Sequence, residues 1–389
     1  MGSPKEMHDG RGNEKIQCRE CKQWYHRLDV HLTKHDLTVK AYLEKHPGAP
    51  TISEVARSKA SAGQAGRSDI TITPETEVAL ASDSKLLKFG VARLRIRDDL
   101  NEVDESMVPA HDEDWIPGKA EESMLELLAL AMEDNDNCMI IGPPGTGKST
   151  IVKQLACLAH QPLARFGMDG DVRRADFIGE KNVVVDPGTG QTITKWVDGF
   201  LPTAAEAGWW VLLDEADATP AHITFLLHGV LEKRRHLAIT GDRGRVVKFH
   251  KDFRIIGTAN TLGLGDDTGQ FAGTNVMNQA FMDRWGVTIK ADYPSSEDEE
   301  RRLIARSGCS PDQAKKMVSV AAAVREAFKN DQCFSSFSPR RLIDWAHKSV
   351  RLNNVSRALE TTVLNKVSKE DAKFIYNMFQ RMFPGVAVR

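Results

Sequence analysis

The sequence lacks the features that send a chain into or across a membrane. No apolar run approaches the about 20 residues that a membrane-spanning helix needs. The polar start MGSPKEMHDGRGNEK has no apolar centre of the kind found in a secretory signal. A charge excess is also missing, because 52 Lys and Arg face 54 Asp and Glu. These absences predict a cytoplasmic protein without membrane contact and without the overall basic field of a nonspecific nucleic-acid binder.

Cysteine is scarce, and no segment repeats itself along the chain. A repeat of 20–50 residues would indicate a solenoid, so that class is excluded. In a reducing compartment the six cysteines are expected to stay reduced. Four of them lie among apolar or helical neighbours, as packing residues do: Cys138, Cys157, Cys309 and Cys333. Cys18 and Cys21 differ, because only two residues separate them.

Composition divides the chain into four parts. Residues 1–50 are polar and hold five of the twelve histidines, and residues 51–84 are rich in Ser, Ala, Gly and Thr, as linkers are. Apolar content rises from about residue 85, which predicts an α/β domain over 85–294 and a helical domain over 295–389. The overall 41% of hydrophobic and 27% of charged residues are typical of a globular protein.

Three apolar segments in the middle of the chain predict buried strands: CMII (138–141), WWVLLDE (209–215) and FRIIGTAN (253–260). Helical patterns cover 123–132 and 151–159. Strands that alternate with helices predict a parallel sheet that is covered on both faces.

Two segments with turn signals predict hairpins, VVVDPGTGQTITKWV (183–197) and LAITGDRGRVVKF (237–249). Arginines make the second one basic, which leaves either nucleic-acid contact or an ordinary solvated hairpin open: Arg234, Arg235, Arg243 and Arg245. After Pro294, helix-start signals recur at Ser296 with Glu299 and at Ser310-Pro311 with Gln313.

A phosphate-binding motif joins the first predicted strand to a predicted helix. The stretch GPPGTGKST satisfies G-x-x-x-x-G-K-[ST], in which glycines let backbone N–H groups surround phosphate oxygens at a helix N-terminus. Lys148 is expected to reach the β- and γ-phosphates of ATP, and Ser149 to ligate Mg²⁺. The predicted nucleotide-binding residues are Gly142, Pro143, Pro144, Gly145, Thr146, Gly147, Lys148, Ser149 and Thr150.

Polar residues end the other two predicted strands. Asp214 is predicted to interact with the nucleotide's Mg²⁺, either directly or through one of the metal's own ligands, and Glu215 to be the base that orients the attacking water. Asn260 ends the third strand and is expected to hold the same water. Taken alone, Asp214-Glu215 could be an ordinary solvated strand end, and Asn260 could be an asparagine that starts a turn.

From about Phe89 to Phe383 the chain resembles the AAA+ ATPases of the MoxR group and, within it, the CobS-like branch of cobaltochelatase ATPase subunits. General motifs are GPPGTGKS, VLLDEAD and GTAN. The narrower ones are FIGEKNVVVDPGTGQ, GLGDDTGQFAGTNVMNQAFMDRW and SPRRLIDWA. The resemblance implies a P-loop core with a parallel sheet, a helical lid domain and a homo-oligomeric, usually hexameric, ring.

The resemblance also implies two catalytic arginines. Arg284, in the DRW stretch, would be the arginine finger that reaches the γ-phosphate of the neighbouring subunit, and the polar loop before it would let it move. Arg340 would be the sensor on the lid, with Arg341 as the open alternative. The implied partners are a von Willebrand-type, CobT-like adaptor and a large client or chelatase subunit.

The N-terminal module carries Cys18-x2-Cys21-x9-His31-x3-His35. Two cysteines on a tight turn and two histidines one helical turn apart can converge on a tetrahedral Zn²⁺. A segment of about fifty residues is too short for a core, which also favours a metal. The segment resembles the Ros/MucR zinc fingers, a family that binds DNA. Docking to protein and binding to nucleic acid both remain open.

The sequence therefore predicts a Mg²⁺-dependent ATPase that powers cobalt insertion into a corrin through partner subunits. The alternative is a MoxR-type remodelling ATPase that its zinc finger recruits to protein or nucleic acid. A DNA-binding regulator with a degenerate ATPase is disfavoured, because every catalytic motif is intact.

Overall fold

The computed structural model describes residues 7–8, 14–22, 24–25, 42, 45–46, 49, 86–185, 188, 190–261 and 277–386. The chain divides into two compact units, Met1–Glu77 and Val78–Arg389. In the first unit, β1 (Met7–His8), β2 (Glu14–Gln17) and β3 (Trp24–Tyr25) form an antiparallel sheet in that order.

The second unit begins with a hairpin and continues with alternating strands and helices. Its strands are β4 (Leu86–Phe89), β5 (Ala92–Arg95), β6 (Cys138–Ile141), β7 (Leu163–Gly167), β8 (Gly179–Val185), β9 (Thr192–Asp198), β10 (Trp210–Asp214), β11 (Ala238–Ile239), β12 (Arg245–Val246), β13 (Arg254–Ala259) and β14 (Val287–Lys290). Its helices are α1 (Glu102–Ser106), α2 (Lys119–Glu133), α3 (Lys148–Leu158), α4 (Arg174–Ile178), α5 (Phe200–Ala207), α6 (Ala221–Leu231), α7 (Gln279–Met282), α8 (Ser296–Ser307), α9 (Pro311–Lys329), α10 (Pro339–Leu352), α11 (Val355–Thr362) and α12 (Lys369–Met382).

A five-stranded parallel sheet in the order β14-β6-β13-β10-β7 forms the centre of this unit. Side chains of β10 alternate between two apolar clusters, with Val211 and Leu213 in one and Trp210 and Leu212 in the other. The predicted parallel sheet with two covered faces is thus confirmed. Its three inner strands are the three that the sequence predicts, because strands buried on both faces are continuously apolar.

Both predicted hairpins are present. β8 and β9 pair from Gly179↔Asp198 to Val185↔Thr192, and β11 and β12 form a shorter antiparallel pair. Strands β7 and β14 are not predicted from the sequence. They are the outer strands of the sheet and only partly buried, so their sequences LARFG and VTIK carry no continuous apolar run.

Helices α8 to α12 enclose a separate apolar cluster around Phe337, Trp345 and Phe379. Ser310 caps α9, with Pro311 at its first position, as predicted. The cap of α8 is Ser295 and not Ser296, since the Ser295 hydroxyl accepts the N–H of Asp298. Two serines in a row leave the sequence signal ambiguous by one residue.

Within the described ranges, no helix has the length and apolar content that crossing a membrane requires.

Candidate nucleotide-binding site

The phosphate loop connects β6 to α3 at the carboxyl edge of the sheet. Gly145 and Gly147 have φ of +81° and +86°, conformations that favour glycine. A Cβ on Gly142 would lie 2.0 Å from the carbonyl oxygen of Ala291, whereas one on Gly147 would meet no atom within 4 Å. The loop therefore packs closely on the sheet at its start and opens into free space where α3 begins.

Lys148 lies in the middle of the loop with its amino group turned inward. It donates to the carbonyl oxygens of Gly142 (2.6 Å) and Pro143 (3.0 Å) and to Asn260 Oδ1 (2.9 Å). Burial lowers the pKa of Lys148 to about 8, although nearby carboxylates, that of Asp217 foremost, act in the opposite direction. A phosphate anion beside this amino group would favour its charged form further and raise its pKa again.

Asp214 ends β10 directly beside the loop. Ser149 Oγ donates to its Oδ1 at 2.7 Å, Thr258 Oγ1 donates to the same oxygen, and Arg165 Nε donates to Oδ2 at 2.8 Å. Burial alone would raise the pKa of Asp214, but these hydrogen bonds lower it overall. The carboxylate is thus held in its charged form next to Ser149, as a magnesium ligand must be.

Glu215 is exposed and takes a left-handed conformation with φ of +60°. Such a φ is costly for a non-glycine residue and is found at functional sites. Its N–H donates to Thr258 Oγ1 at 3.1 Å. The structure therefore presents this carboxylate at the surface, one residue beyond the buried Asp214.

Asn260 directly follows β13, and a buried carboxylate holds its backbone. Asp217 Oδ2 accepts the N–H groups of Asn260 (2.9 Å) and Thr261 (3.0 Å), while Asp217 Oδ1 is buried without a hydrogen-bond partner. Sequence reasoning missed Asp217, Thr258 and Arg165. The first two lie inside the VLLDEAD and GTAN motifs, so their positions were a usable signal; Arg165 lies on an unpredicted edge strand.

A cavity of about 300 Å³ adjoins the phosphate loop. Its lining includes Gly145, Thr146, Gly147 and Thr150 from the loop and α3, Trp115 and Ile116 from before α2, and Arg340, Leu342 and Ile343 from α10. Arg340 is exposed into this space, whereas Arg341 Nη1 donates to the carbonyl oxygen of Ser336 at 3.1 Å. The lining combines apolar side chains with three arginines, Arg302, Arg306 and Arg340, and with four carboxylates. Apolar walls with a few charged groups are typical of small-molecule sites.

Arg284 follows α7, and within the described residues its guanidinium forms no hydrogen bond or ion pair with the phosphate loop. Its guanidinium donates to the carbonyl oxygen of Ala280 and lies 3.6 Å from Glu232. Asn137 Nδ2 donates to the carbonyl oxygen of Arg284 at 2.9 Å, which anchors its backbone. Most of the polar loop before it, residues 262–276, lies outside the described residues.

The four predicted zinc ligands cannot be compared as a set, because His31 and His35 lie outside the described residues. Cys18 is buried and Cys21 half-buried. They share a turn in which the N–H of Lys22 donates to the carbonyl oxygen of Cys18. No group of three or more His, Cys, Asp or Glu in the described part of the chain is arranged to hold a metal. The described residues therefore show no metal site, and the zinc site stays a prediction.

Two of the four arginines near the second hairpin have structural partners. Arg245 contacts the carboxylates of Asp198, Glu206 and Asp242. Arg235 donates to Asn137 Oδ1 and lies over the ring of Phe253. These pairings favour the solvated hairpin over nucleic-acid contact there.

Comparisons with known proteins agree with this geometry. A family model described as AAA domain (dynein-related subfamily) matches residues 137–285, and one described as CbbQ/NirQ/NorQ C-terminal matches residues 299–378. Aerobic cobaltochelatase subunit CobS of Sinorhizobium sp is 34% identical over 284 residues, which cover 72% of this chain and 84% of that protein. The chain belongs to the AAA ATPases of the CbbQ/CobS/MoxR type.

Other relatives of this AAA ATPase are more distant. Protein CbbQ of Hydrogenophilus thermoluteolus is 32% identical over 187 residues, which cover 48% of this chain and 64% of that protein. Midasin of Giardia intestinalis is 25% identical over 226 residues, which cover 57% of this chain and 4% of that protein. The resemblance drawn from the motifs is confirmed for the ATPase, which by its family uses ATP and Mg²⁺.

The residues present fit that nucleotide and metal. Ser149 and Asp214 supply the hydroxyl and carboxylate oxygens that Mg²⁺ prefers. Asp217 Oδ1 is buried without a hydrogen-bond partner, and the charge of this carboxylate acts on Lys148 in the phosphate loop. Backbone N–H groups at the start of α3 open into free space beyond Gly147.

Proposed function

We propose that this AAA ATPase is the motor subunit of a CobS-like assembly and forms a ring that powers cobalt insertion into a corrin through partner subunits. The observation that carries the proposal is the 34% identity to a cobaltochelatase subunit over 84% of that protein's length. The metal insertion itself would occur in a large chelatase subunit, with a von Willebrand-type, CobT-like adaptor between that subunit and the ring.

The phosphate loop would bind the nucleotide. Backbone N–H groups from Gly145 to Ser149 would surround the β-phosphate, and Lys148 would leave its two carbonyl acceptors for the phosphate oxygens. Ser149 and Asp214 would hold Mg²⁺, which neutralises charge on the phosphates when bound. Arg340 would reach the phosphates from the lid across the shared cavity.

Glu215 and Asn260 would position the attacking water. The Glu215 carboxylate, exposed beside Asp214, would accept a proton from that water. Asn260 already bonds Lys148, and its backbone is held by Asp217, so its amide would meet the water near the γ-phosphate. Arg284 of one subunit would complete the site of its neighbour, which explains why its guanidinium contacts Ala280 and Glu232 and not its own loop.

The N-terminal unit would bind Zn²⁺ through Cys18, Cys21, His31 and His35. The turn from Cys18 to Lys22, with a left-handed Lys22 at φ of +59°, supports the cysteine half of this site. Metal analysis of the purified protein and of a Cys18→Ser variant tests it. About one zinc per chain, absent from the variant, is expected. Equal metal content in both proteins would remove this module from the proposal.

The alternative function is a MoxR-type remodelling ATPase that the N-terminal module recruits to protein or nucleic acid. A separate compact unit ahead of the ATPase favours it. The two functions are tested by capturing partners from native cells with a Glu215→Gln ring held in its ATP-bound state. A large chelatase subunit together with a von Willebrand-type protein supports cobalt insertion. A von Willebrand-type protein alone, or nucleic-acid proteins, would support remodelling.

A further inference from the structure

Both oxygens of the Asp214 carboxylate accept hydrogen bonds from side chains of this chain. Oδ1 accepts from Ser149 and Thr258, and Oδ2 accepts from both Nε and Nη2 of Arg165. Arg165 is therefore not a distant counter-ion. It occupies the carboxylate oxygen that is not already engaged by Ser149 or Thr258, and a magnesium ion or its bound water would need that oxygen.

The side chain of Arg165 is positioned so that it can move away from Asp214. It lies on β7, an outer strand of the sheet, and its side chain is 52% exposed while that of Asp214 is 10% exposed. A Cβ on Gly167, the last residue of β7, would meet no atom within 4 Å, so there is open space at this end of the strand. The guanidinium can turn into water without becoming a buried unpaired charge, whereas Asp214 cannot.

We infer that Arg165 is a positioning residue that pairs with Asp214 in the nucleotide-free protein and competes with Mg²⁺ for its carboxylate. This inference rests on the proposed nucleotide site. The competition is for the acceptor positions of one oxygen. Because Oδ2 of Asp214 already accepts two N–H groups, it cannot bind a divalent cation at the same time. The pair keeps the buried carboxylate neutralised between turnovers, and it makes magnesium entry depend on the release of Arg165.

A competitor of Mg²⁺ and a phosphate ligand differ in what their loss does to nucleotide binding. A phosphate ligand would strengthen binding of the magnesium nucleotide, so its loss would raise the Mg²⁺ concentration needed. A competitor has the opposite effect, because its loss frees Asp214 for the metal. The sign of the change therefore decides between the two roles.

The test measures how much Mg²⁺ is needed for half-maximal binding of a fluorescent, non-hydrolysable ATP analogue to the full chain. In Arg165→Gln we expect that concentration to fall about fivefold, as loss of an ion pair of this exposure predicts. Arg173→Gln is the matched control, because Arg173, immediately before α4, also pairs with an aspartate, Asp176, but is 73% exposed. The control should bind like the unaltered protein.

A second readout needs neither nucleotide nor metal. Without both, Arg165→Gln should unfold at a lower temperature than the control variant, because Asp214 loses its counter-charge, and added Mg²⁺ should raise its unfolding temperature more than that of the control. Arg165→Lys, which keeps the charge, covers the case in which the glutamine variant does not fold, and it should shift the Mg²⁺ midpoint in the same direction by less.

An unchanged or raised Mg²⁺ midpoint in the Arg165 variants would overturn the inference and leave the proposed function intact. If the unaltered protein itself fails to bind the analogue in the presence of Mg²⁺, the proposed nucleotide site is wrong.

Discussion

At the scale of single residues, the site is organised by side chains that hold other side chains. Lys148 is buried and pairs with carbonyl oxygens and Asn260, so nucleotide binding exchanges one set of oxygen acceptors for another. Asp217 holds the backbone at Asn260, and Thr258 bridges Asp214 and Glu215. Substitution of Asp217 or Thr258 should therefore change the turnover rate more than the affinity for ATP.

Lys148→Ala should lose measurable ATP binding, since the ammonium group of Lys148 would make the charge-assisted hydrogen bonds to the phosphates.

Glu215→Gln should bind ATP normally and hydrolyse it about 10²- to 10⁴-fold more slowly, because the amide cannot accept the proton of the water. Analogue binding and phosphate release measure the two effects. Normal turnover in Glu215→Gln would exclude it as the base.

Asp217→Asn should lower turnover about tenfold with little change in ATP affinity, because the weakened hydrogen bonds to Asn260 and Thr261 let the water-holding amide drift. Asp312→Asn is the control, since Asp312 is an exposed aspartate that pairs with Lys316. Steady-state kinetics separate kcat from KM. A change in KM alone would mean that Asp217 does not position Asn260.

At the scale of elements, one buried carboxylate links two parts of the helical lid domain. Asp371, near the start of α12, is buried and accepts the N–H of Phe334 at 3.1 Å. Burial would raise the pKa of Asp371, but hydrogen bonds from Ser335, Phe334 and other neighbours lower it overall. This one carboxylate joins α12 to the loop before α10.

The lid is therefore expected to weaken in acid. A lowered folded-state pKa gives a stabilisation that is present above the unfolded-state pKa and is lost as pH falls through the folded-state value. Asp371→Asn should reduce the free energy of unfolding by about 1 to 3 kcal/mol at pH 7. The difference from the unaltered protein should shrink below about pH 4.

Thermal unfolding at pH 7 and pH 3 measures this difference, and Glu370→Gln is the control because Glu370 is the exposed neighbour. A difference that stays the same at both pH values would show that the charge of Asp371 does not contribute.

At the scale of the whole molecule, the ATPase core and the helices from α8 to α12 meet around the nucleotide cavity. Arg302 on α8 donates to the carbonyl oxygen of Ile116 and lies 2.7 Å from Glu121, and Arg306 contacts Asp112. The phosphate loop touches the start of α10, where a Cβ on Gly145 would lie 2.8 Å from Ser338 Cβ. A change of the bound nucleotide would therefore alter the contacts between the phosphate loop and the helical lid domain.

The proposed action of Arg284 on a neighbouring subunit requires that two subunits share each site, which a mixing experiment tests. Arg284→Ala alone should bind ATP but hydrolyse it about 10³-fold more slowly. A mixture with Lys148→Ala should recover activity, because Lys148→Ala subunits supply Arg284 to intact sites. In a 1:1 mixture of randomly assembled rings, about one quarter of the sites would be complete. If the mixture stays inactive although both variants assemble, Arg284 does not act across the interface.

Local sequence determined much of this protein. The phosphate motif, the three inner strands, both hairpins and the helical C-terminal region could be predicted from the chain, because apolar runs, glycine positions and turn residues act over a few residues. The family could be predicted too, since its motifs are contiguous. The outer strands β7 and β14 could not, because half-burial leaves them without an apolar run.

Only the tertiary structure decided which distant residues meet. It brings Arg165, Ser149 and Thr258 to one carboxylate, Asp217 to the backbone of Asn260, and Arg340 instead of Arg341 to the cavity. Parallel strands place their carboxyl ends at one edge whatever their separation in sequence, so contacts across that edge depend on strand order and register. Those two quantities arise from the packing of the whole sheet and are not carried by any one segment of the chain.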